Sequence, residues 1–253
     1  MNLTIRNPHS VLAALERRAQ DVIQISLPRG GAQRAGEAWE EVVRVARSKG
    51  ITVSEGGAKK AGPAGPPSKH GVDAGREGAA EALVRERQGV PVEELFAQGR
   101  ERKNGRGLWL ALDSLQDPHN VGAIFRTAAF FGVEGILLTQ ERSAPLSSTV
   151  YDVASGGVEY VPFTLQTNLQ RGFEVAKEAG LWLLGTSEHA NDDISSVAHD
   201  RPWLLVLGNE EKGMRRLTEE ACDVLCRVSP QGKVTSLNVS VAAGVLISAL
   251  SRP

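Results

Sequence analysis

The chain has 253 residues, of which 41% are hydrophobic, 23% charged and 5% aromatic. That composition excludes a collagen, a long coiled coil and a wholly disordered chain, and the length suits two domains. The net charge of −1 hides an asymmetry: residues 1–106 carry 18 Lys and Arg against 13 Asp and Glu, and the rest 11 against 17. A basic first part joined to an acidic second part fits a nucleic-acid-facing module on a catalytic or dimerising one, and equally an ordinary two-domain protein. No run of about 18 apolar residues occurs and the N-terminus lacks a basic stretch leading into an apolar one, so a cytoplasmic protein with no membrane span is expected. Cys222 and Cys226 stand four apart, not in the CxxC of a redox or zinc site, and are expected as reduced packing residues at helix-neighbour spacing.

In chain order, Val11, Leu12 and Leu15 place a helix over His9–Ala19, and the alternation in DVIQISL places a strand over Asp21–Leu27. Trp39, Val42, Val43 and Val45 mark a helix over Glu37–Lys49, and Ile51–Val53 restarts a strand. Between Gly56 and Gly75 the composition turns to Gly, Ala, Pro and Lys, too poor in apolar surface to order itself. Its Lys59, Lys60 and Lys69 suit either a phosphate backbone or a solvated tether. Ala79–Arg87 reads as helix or strand, and the polar run Gln98–Gly107 closes a connector. The expected division is a domain over 1–88, a linker over 89–107 and a second domain over 108–253.

From Leu108 onward, strands and helices alternate. Strands are predicted at Leu108–Leu112, Gly135–Leu138, Glu159–Phe163, Leu181–Leu184, Trp203–Leu207 and Val224–Val228. Helices are predicted at Asn120–Phe131, Thr149–Ser155, Leu169–Ala179, Thr218–Ala221 and Val239–Ser251. Continuous apolar strands separated by helices imply a parallel sheet covered on both faces, with ligands beyond the carboxyl ends of its strands. VSVAAGVLISAL is apolar on nearly every face and requires a core or a subunit contact.

Three junctions carry polar residues that a bland sheet does not need: LDSLQDPHNVGAIFRTAAFFGV, LLVLGNEEKGM and VSPQGKVTSLNVSVAAGVLISAL. GxGxxG and GxxxxGK[ST] are missing, as are HExxH and GxSxG, which removes the parts of ordinary dinucleotide enzymes, NTPases, metallohydrolases and serine esterases. In the residues themselves, Gly208–Gly213 after a buried strand suits either a tight turn or a pocket of backbone groups. Asn120 suits a helix cap or a loop anchor. Ser236 and Asn238 suit helix-start positions or a site, and His119 a base or a plain loop histidine. Arg126 is a permanent cation on a helix.

In this order and position the three segments resemble the signature motifs of the SpoU/TrmH family of RNA ribose 2′-O-methyltransferases, of the SPOUT class. Asn120 and Arg126 match the first motif, Gly208, Asn209, Glu210 and Gly213 the second, and Ser236, Leu237, Asn238, Ser240 and Ala242 the third. RSAPLSSTVYDVASGGVEYVPF is similar to the branch that methylates a guanosine of large-subunit ribosomal RNA. The opening RNPHSVLAAL and its α/β pattern resemble that branch's small substrate-binding domain, similar to the ribosomal-protein L30e fold.

The resemblance implies an α/β protein with a knotted parallel-sheet C-terminal domain that binds S-adenosylmethionine, and a homodimer that acts on RNA, ribosomal or transfer. Arg126 falls at the family's catalytic position, with Asn120, Glu210, Ser236 and Asn238 in catalytic or substrate-holding roles. Gly208, Val228 and Leu237 are implied as cofactor contacts and Thr186 as a fourth wall. Glu210 would orient Arg126 or hold its own loop. A non-catalytic RNA-binding or ribosome-assembly protein of the same fold is the remaining alternative.

Overall fold

The computed structural model describes residues 1–56, 79–97, 99, 106–209 and 212–251, and they form two compact units, Met1–Arg87 and Gln88–Pro253. Most of the predicted Gly56–Gly75 tether, with Lys59, Lys60 and Lys69, lies outside the described residues, as do Arg100, Arg102 and Lys103 of the polar run Gln98–Gly107. Among the described residues no helix is long and apolar enough to cross a membrane.

The first unit runs β1 (Asn2–Ile5), α1 (Pro8–Arg18), β2 (Val22–Leu27), α2 (Gly31–Ala35), α3 (Glu37–Ser48), β3 (Thr52–Glu55) and β4 (Glu81–Arg85). Its sheet has the order β1-β4-β2-β3, with β4 antiparallel to both neighbours and β2 parallel to β3. Asn7 starts α1 by accepting from the His9 and Ser10 amides at 2.9 and 3.4 Å, ahead of Pro8, whose missing N–H costs nothing in a first turn. Residues 79–87, open between helix and strand in sequence, settle as strand because Ala82 and Val84 alternate into the core beside Leu3, Ile5, Val22 and Ile25.

The second unit runs α4 (Val92–Phe96), β5 (Leu108–Leu112), α5 (Pro118–Phe131), β6 (Gly135–Thr139), α6 (Ser148–Ala154), α7 (Gly157–Tyr160), β7 (Phe163–Gln166) and α8 (Gln170–Glu178). It continues with β8 (Trp182–Thr186), β9 (Asp192–Asp193), β10 (Trp203–Leu207), α9 (Arg216–Ala221), β11 (Val224–Arg227) and α10 (Val239–Leu250). The seven strands lie in the order β7-β6-β5-β10-β8-β11-β9, and every pairing is parallel. All five positions of β5, β6 and β10 are buried, the signature of strands covered on both faces.

Three expectations change. The predicted linker at 89–107 is not linker over its described first part: Val92, Leu95 and Phe96 of α4, at helical i, i+3, i+4 spacing, are buried with Trp109, Phe173 and Leu181. The Trp109 indole N–H donates to the Leu95 carbonyl at 2.9 Å. The predicted strand Glu159–Phe163 is instead helix α7 followed by β7. Gly156 turns the chain at φ +94°, and a Cβ on Gly157 would lie 2.6 Å from the Phe125 carbonyl, so a turn of helix packs there before Pro162 releases the chain into the sheet. Cys222 and Cys226 do not share a helix, since Cys222 follows α9 and Cys226 lies within β11. Both are free thiols, and burial pushes each up to about 12.

Candidate active site

The carboxyl ends of the central strands β5 and β10 are neighbours, and the loops leaving them are tied together. Asp113 ends β5 with its side chain 0% exposed, and its amide donates to the Leu207 carbonyl at 2.8 Å. Ser114 then adopts φ +62°, a left-handed conformation that turns the chain sharply out of the sheet. Its amide donates to the Thr139 hydroxyl at 3.2 Å and the next residue, Leu115, is buried, so this turn is held from both sides.

Gly208 leaves β10 into a narrow loop. Asn209 and Gly213 exchange backbone hydrogen bonds at 2.9 and 3.0 Å, and Gly213 sits at φ +66°. A Cβ on Gly208 would lie 2.3 Å from Gly213 C and Met214 N, so only glycine allows the two arms of the loop to close. The Asn209 side-chain amide donates to the Ser114 carbonyl at 2.9 Å, and its Oδ1 accepts from the Lys212 amide at 3.2 Å. At the far end Arg215 donates to Asp113 twice, Nε to Oδ1 at 2.7 Å and the backbone amide to Oδ2 at 3.0 Å. Glu210 lies outside the described residues.

From the same β5 turn the chain enters α5. Asp117, not Asn120, caps this helix by accepting from the His119 amide at 2.8 Å. Asn120 is buried one turn in, whereas Arg126 is exposed; six residues at 100° each set them about 120° apart around the axis. Gly122 and Gly157 let α6 and α7 approach α5 closely, the first against Val150 and Val153 and the second against the Phe125 carbonyl. The helix is thus clamped on its inner faces, with the Arg126 guanidinium turned outward. It makes no hydrogen bond or ion pair among the described residues. His119 is exposed and, among the described residues, enters the network only through its backbone amide.

The remaining predicted residues come from β8, β11 and the approach to α10. Thr186 ends β8, and its hydroxyl donates to the Val206 carbonyl at 3.0 Å, bracing the strand beside the loop. Val228 follows β11 and is half-buried. The next amide, Ser229, donates to Asp193 at 2.9 Å, and Asp193 also accepts from the Ser195 amide and hydroxyl at 3.0 and 2.7 Å. Those hydrogen bonds, the Ser229 hydroxyl's first, hold the Asp193 carboxyl well below the usual carboxylate range. Ser236, Leu237 and Asn238 are all exposed. Asn238 caps α10, accepting from the Ser240 amide at 2.9 Å and hydroxyl at 2.6 Å. No recorded bond joins Ser236 or Asn238 to Arg126 among the described residues, although α10 packs on α5.

The geometry thus brings together Gly208, Asn209, Asp113, Ser114 and Arg215, with Thr186 braced against β10, and leaves Ser236 and Leu237 on an open segment. Asp113, Arg215 and Asp193 escaped sequence reasoning. The only signal for Asp113 was an acidic residue ending an apolar strand, and its partner lies 102 residues away. The amides of Asn209, Lys212 and Gly213 are spent inside the loop, so what this edge offers a nucleoside-bearing cofactor is close backbone approach at the glycines beyond the carboxyl end of β10.

Comparison with known proteins agrees. Residues 107–248 match the SpoU rRNA Methylase family. The chain is 37% identical to a putative TrmH family tRNA/rRNA methyltransferase, YacO, of Bacillus subtilis, over 82% of this chain and 80% of that one. It is 35% identical to the 23S rRNA (guanosine-2′-O-)-methyltransferase RlmB of Pseudomonas putida, over 94% of this chain and 92% of that one. Its fold matches an AdoMet-bound rRNA methyltransferase from Sinorhizobium meliloti with a TM-score of 0.73, at 20% identity, over 98% of this chain and 86% of that one. A matched family model across more than half the chain, over the segments where the pinned loop and Arg126 lie, establishes that this protein belongs to the SpoU rRNA methylase family.

Proposed function

We infer that this enzyme methylates the ribose 2′-oxygen of a guanosine in large-subunit ribosomal RNA, using S-adenosylmethionine. The observation that carries the reading is the placement of the closed 208–213 loop and the Arg126 helix on two strands, β5 and β10, that pair directly. The relatives named for guanosine 2′-O-methylation of 23S rRNA align along nearly the whole chain and support the choice of substrate.

The bound cofactor supplies an electrophilic methyl group, so the protein's task is to align a ribose hydroxyl and manage its proton. Arg126 is permanently charged and serves best as a two-pronged clamp on an RNA phosphate that also stabilises charge developing on the 2′-oxygen. Gly208, Val228, Leu237 and Thr186 form the cofactor side. Asn120, Ser236 and Asn238 form the substrate side, with Asn238 doing so from its helix-cap position, and Glu210 keeps the role that the family resemblance implies.

The reading extends to a knotted C-terminal segment and to a cytoplasmic homodimer. Val241 and Val245 on successive turns of α10 are 53% and 40% exposed, and Phe130, one turn beyond Arg126 on α5, is 83% exposed. Such surface on two packed helices suits a second copy of the chain closing over the arginine. The first unit, with its Asn7-capped helix and mixed sheet, is assigned to holding RNA.

Transfer of labelled methyl to total RNA tests the reading. Label in large-subunit RNA, at an alkali-resistant linkage, is the expected result. Label confined to transfer RNA would replace the substrate, and cofactor binding without transfer to any RNA or ribosomal precursor would leave the non-catalytic alternative.

A further inference from the structure

Asp113 is a fully buried carboxylate near the start of the first polar segment, LDSLQDPHN, and none of the site roles assigned above includes it, yet it sits where the cofactor loop and the catalytic helix diverge. It accepts three hydrogen bonds: from Arg215 Nε at 2.7 Å, from the Arg215 amide at 3.0 Å and from the Ser114 hydroxyl at 3.1 Å. Two of them hold the end of the 208–215 segment, the third steadies the left-handed turn at Ser114, and that turn's carbonyl receives Asn209. Only Leu115–Asp117 separates this turn from α5, which carries Arg126. One carboxylate therefore holds in register the loop on the cofactor side and the helix on the substrate side.

Burying a carboxylate is costly unless it is fully paired, and a core of apolar residues would fill the same space more cheaply. A charge retained here is explained by what it fixes. Glycines at 208 and 213 make the loop easy to close and equally easy to open, and Arg215 is the first side chain beyond them that can stop it. Its guanidinium stem is 40% exposed while Asp113 is wholly enclosed, so the anchor is the carboxylate and the arginine is the loop's hand upon it.

We propose that Asp113, through Arg215, is a positioning residue that pre-organises the 208–213 loop for the cofactor and sets its register with the Arg126 helix. The proposal rests on the methyltransferase reading of this site. A loop already closed spares the ordering cost that binding would otherwise carry.

The test is calorimetric binding of S-adenosylmethionine and full kinetics for wild type, Asp113→Asn, Arg215→Lys, the double variant and Arg216→Ala, alongside melting temperatures. Arg216 is the exposed neighbour paired with Glu220 and is the control. Losing hydrogen bonds to a charged group predicts a rise of about tenfold to a hundredfold in the cofactor Kd for Asp113→Asn and Arg215→Lys, with RNA KM unchanged and Arg216→Ala like wild type. Because the two residues act as one unit, the double variant is expected to be no worse than the poorer single. Arg215→Lys, altered at a half-exposed side chain, keeps the question open to decision if Asp113→Asn fails to fold. A folded variant binding the cofactor within twofold of wild type, or strictly additive losses, overturns the proposal. Absence of cofactor binding by wild type would instead overturn the methyltransferase reading.

Discussion

Two loops leave the carboxyl edge of the same sheet and are built in opposite ways. The 208–215 loop is closed by its own backbone pair, tied to Ser114 by Asn209 and tied to Asp113 by Arg215. The 229–238 segment is anchored at its ends, by Asp193 at Ser229 and by the Asn238 cap, and residues 230–237 between them make no recorded hydrogen bond among the described residues. Val234 is 76% exposed and Leu237 50%. One half of the candidate site is held by its own hydrogen bonds; the other leaves apolar side chains exposed. On the reading proposed above, a site built this way would hold its cofactor side fixed while the RNA and the proposed second copy complete the far wall.

The largest expected effect separates binding from chemistry. Arg126→Ala should lower kcat by about a thousandfold while the calorimetric cofactor affinity stays at the wild-type value, because the exposed guanidinium makes no bond to the prepared loop among the described residues. Equal loss of both would place Arg126 on the cofactor side. Next comes the open half: Val241→Glu with Val245→Glu puts unpaired charges where a second copy is proposed, and should weaken self-association more than about a hundredfold in sedimentation velocity, with activity falling in step. A wild-type monomer at micromolar concentration would remove the subunit from this side of the comparison.

A smaller effect is expected at the prepared loop. Gly208→Ala forces a Cβ into Gly213 and Met214, and overpacking of about 1–3 kcal/mol should raise the cofactor Kd by about tenfold or more. Affinity unchanged in a folded variant would mean the loop opens freely. The mildest test is acid titration of the anchor of the open segment. Asp193 titrates below its ordinary value when folded, so its stabilisation is complete above about pH 4 and fades as pH falls through the folded value. The melting-temperature gap between wild type and Asp193→Asn should be constant from about pH 8 to 5 and close below about pH 4. A gap that persists into acid would assign the effect to packing.

The difference between the loops also explains what could be read in advance. Strands β5, β6 and β10 were legible because burial on both faces demands unbroken apolar runs, and α10 because its cap and apolar length are local signals. Helix α4 was hidden by its shortness and by two glutamates on its exposed side. Residues 159–163 look like a strand, but the close approach of Gly157 to Phe125 puts Glu159 and Tyr160 in a turn of helix and delays the strand to Phe163. The start of α5 lies two residues earlier than its apolar pattern suggests, and of the two roles open to Asn120 the cap falls to Asp117, which accepts from the His119 amide ahead of Pro118. Within the candidate site, Arg126 and the Gly208 loop stood out through motif resemblance. The Asp113–Arg215 pair had no local pattern, since a contact across 102 residues leaves no periodicity to find.

The insertion of β10 between β5 and β8 carries a consequence for the birth of the enzyme. The first strand of the site emerges early in synthesis, but it has only β6 beside it until residues 203–215 have left the ribosome. Pairings of such high sequence separation are slow to form and hold apolar edges open meanwhile. A nascent chain halted between Leu112 and Arg215 therefore displays an incomplete sheet without the 208–215 loop, and the two strands that carry the candidate site meet only late in translation.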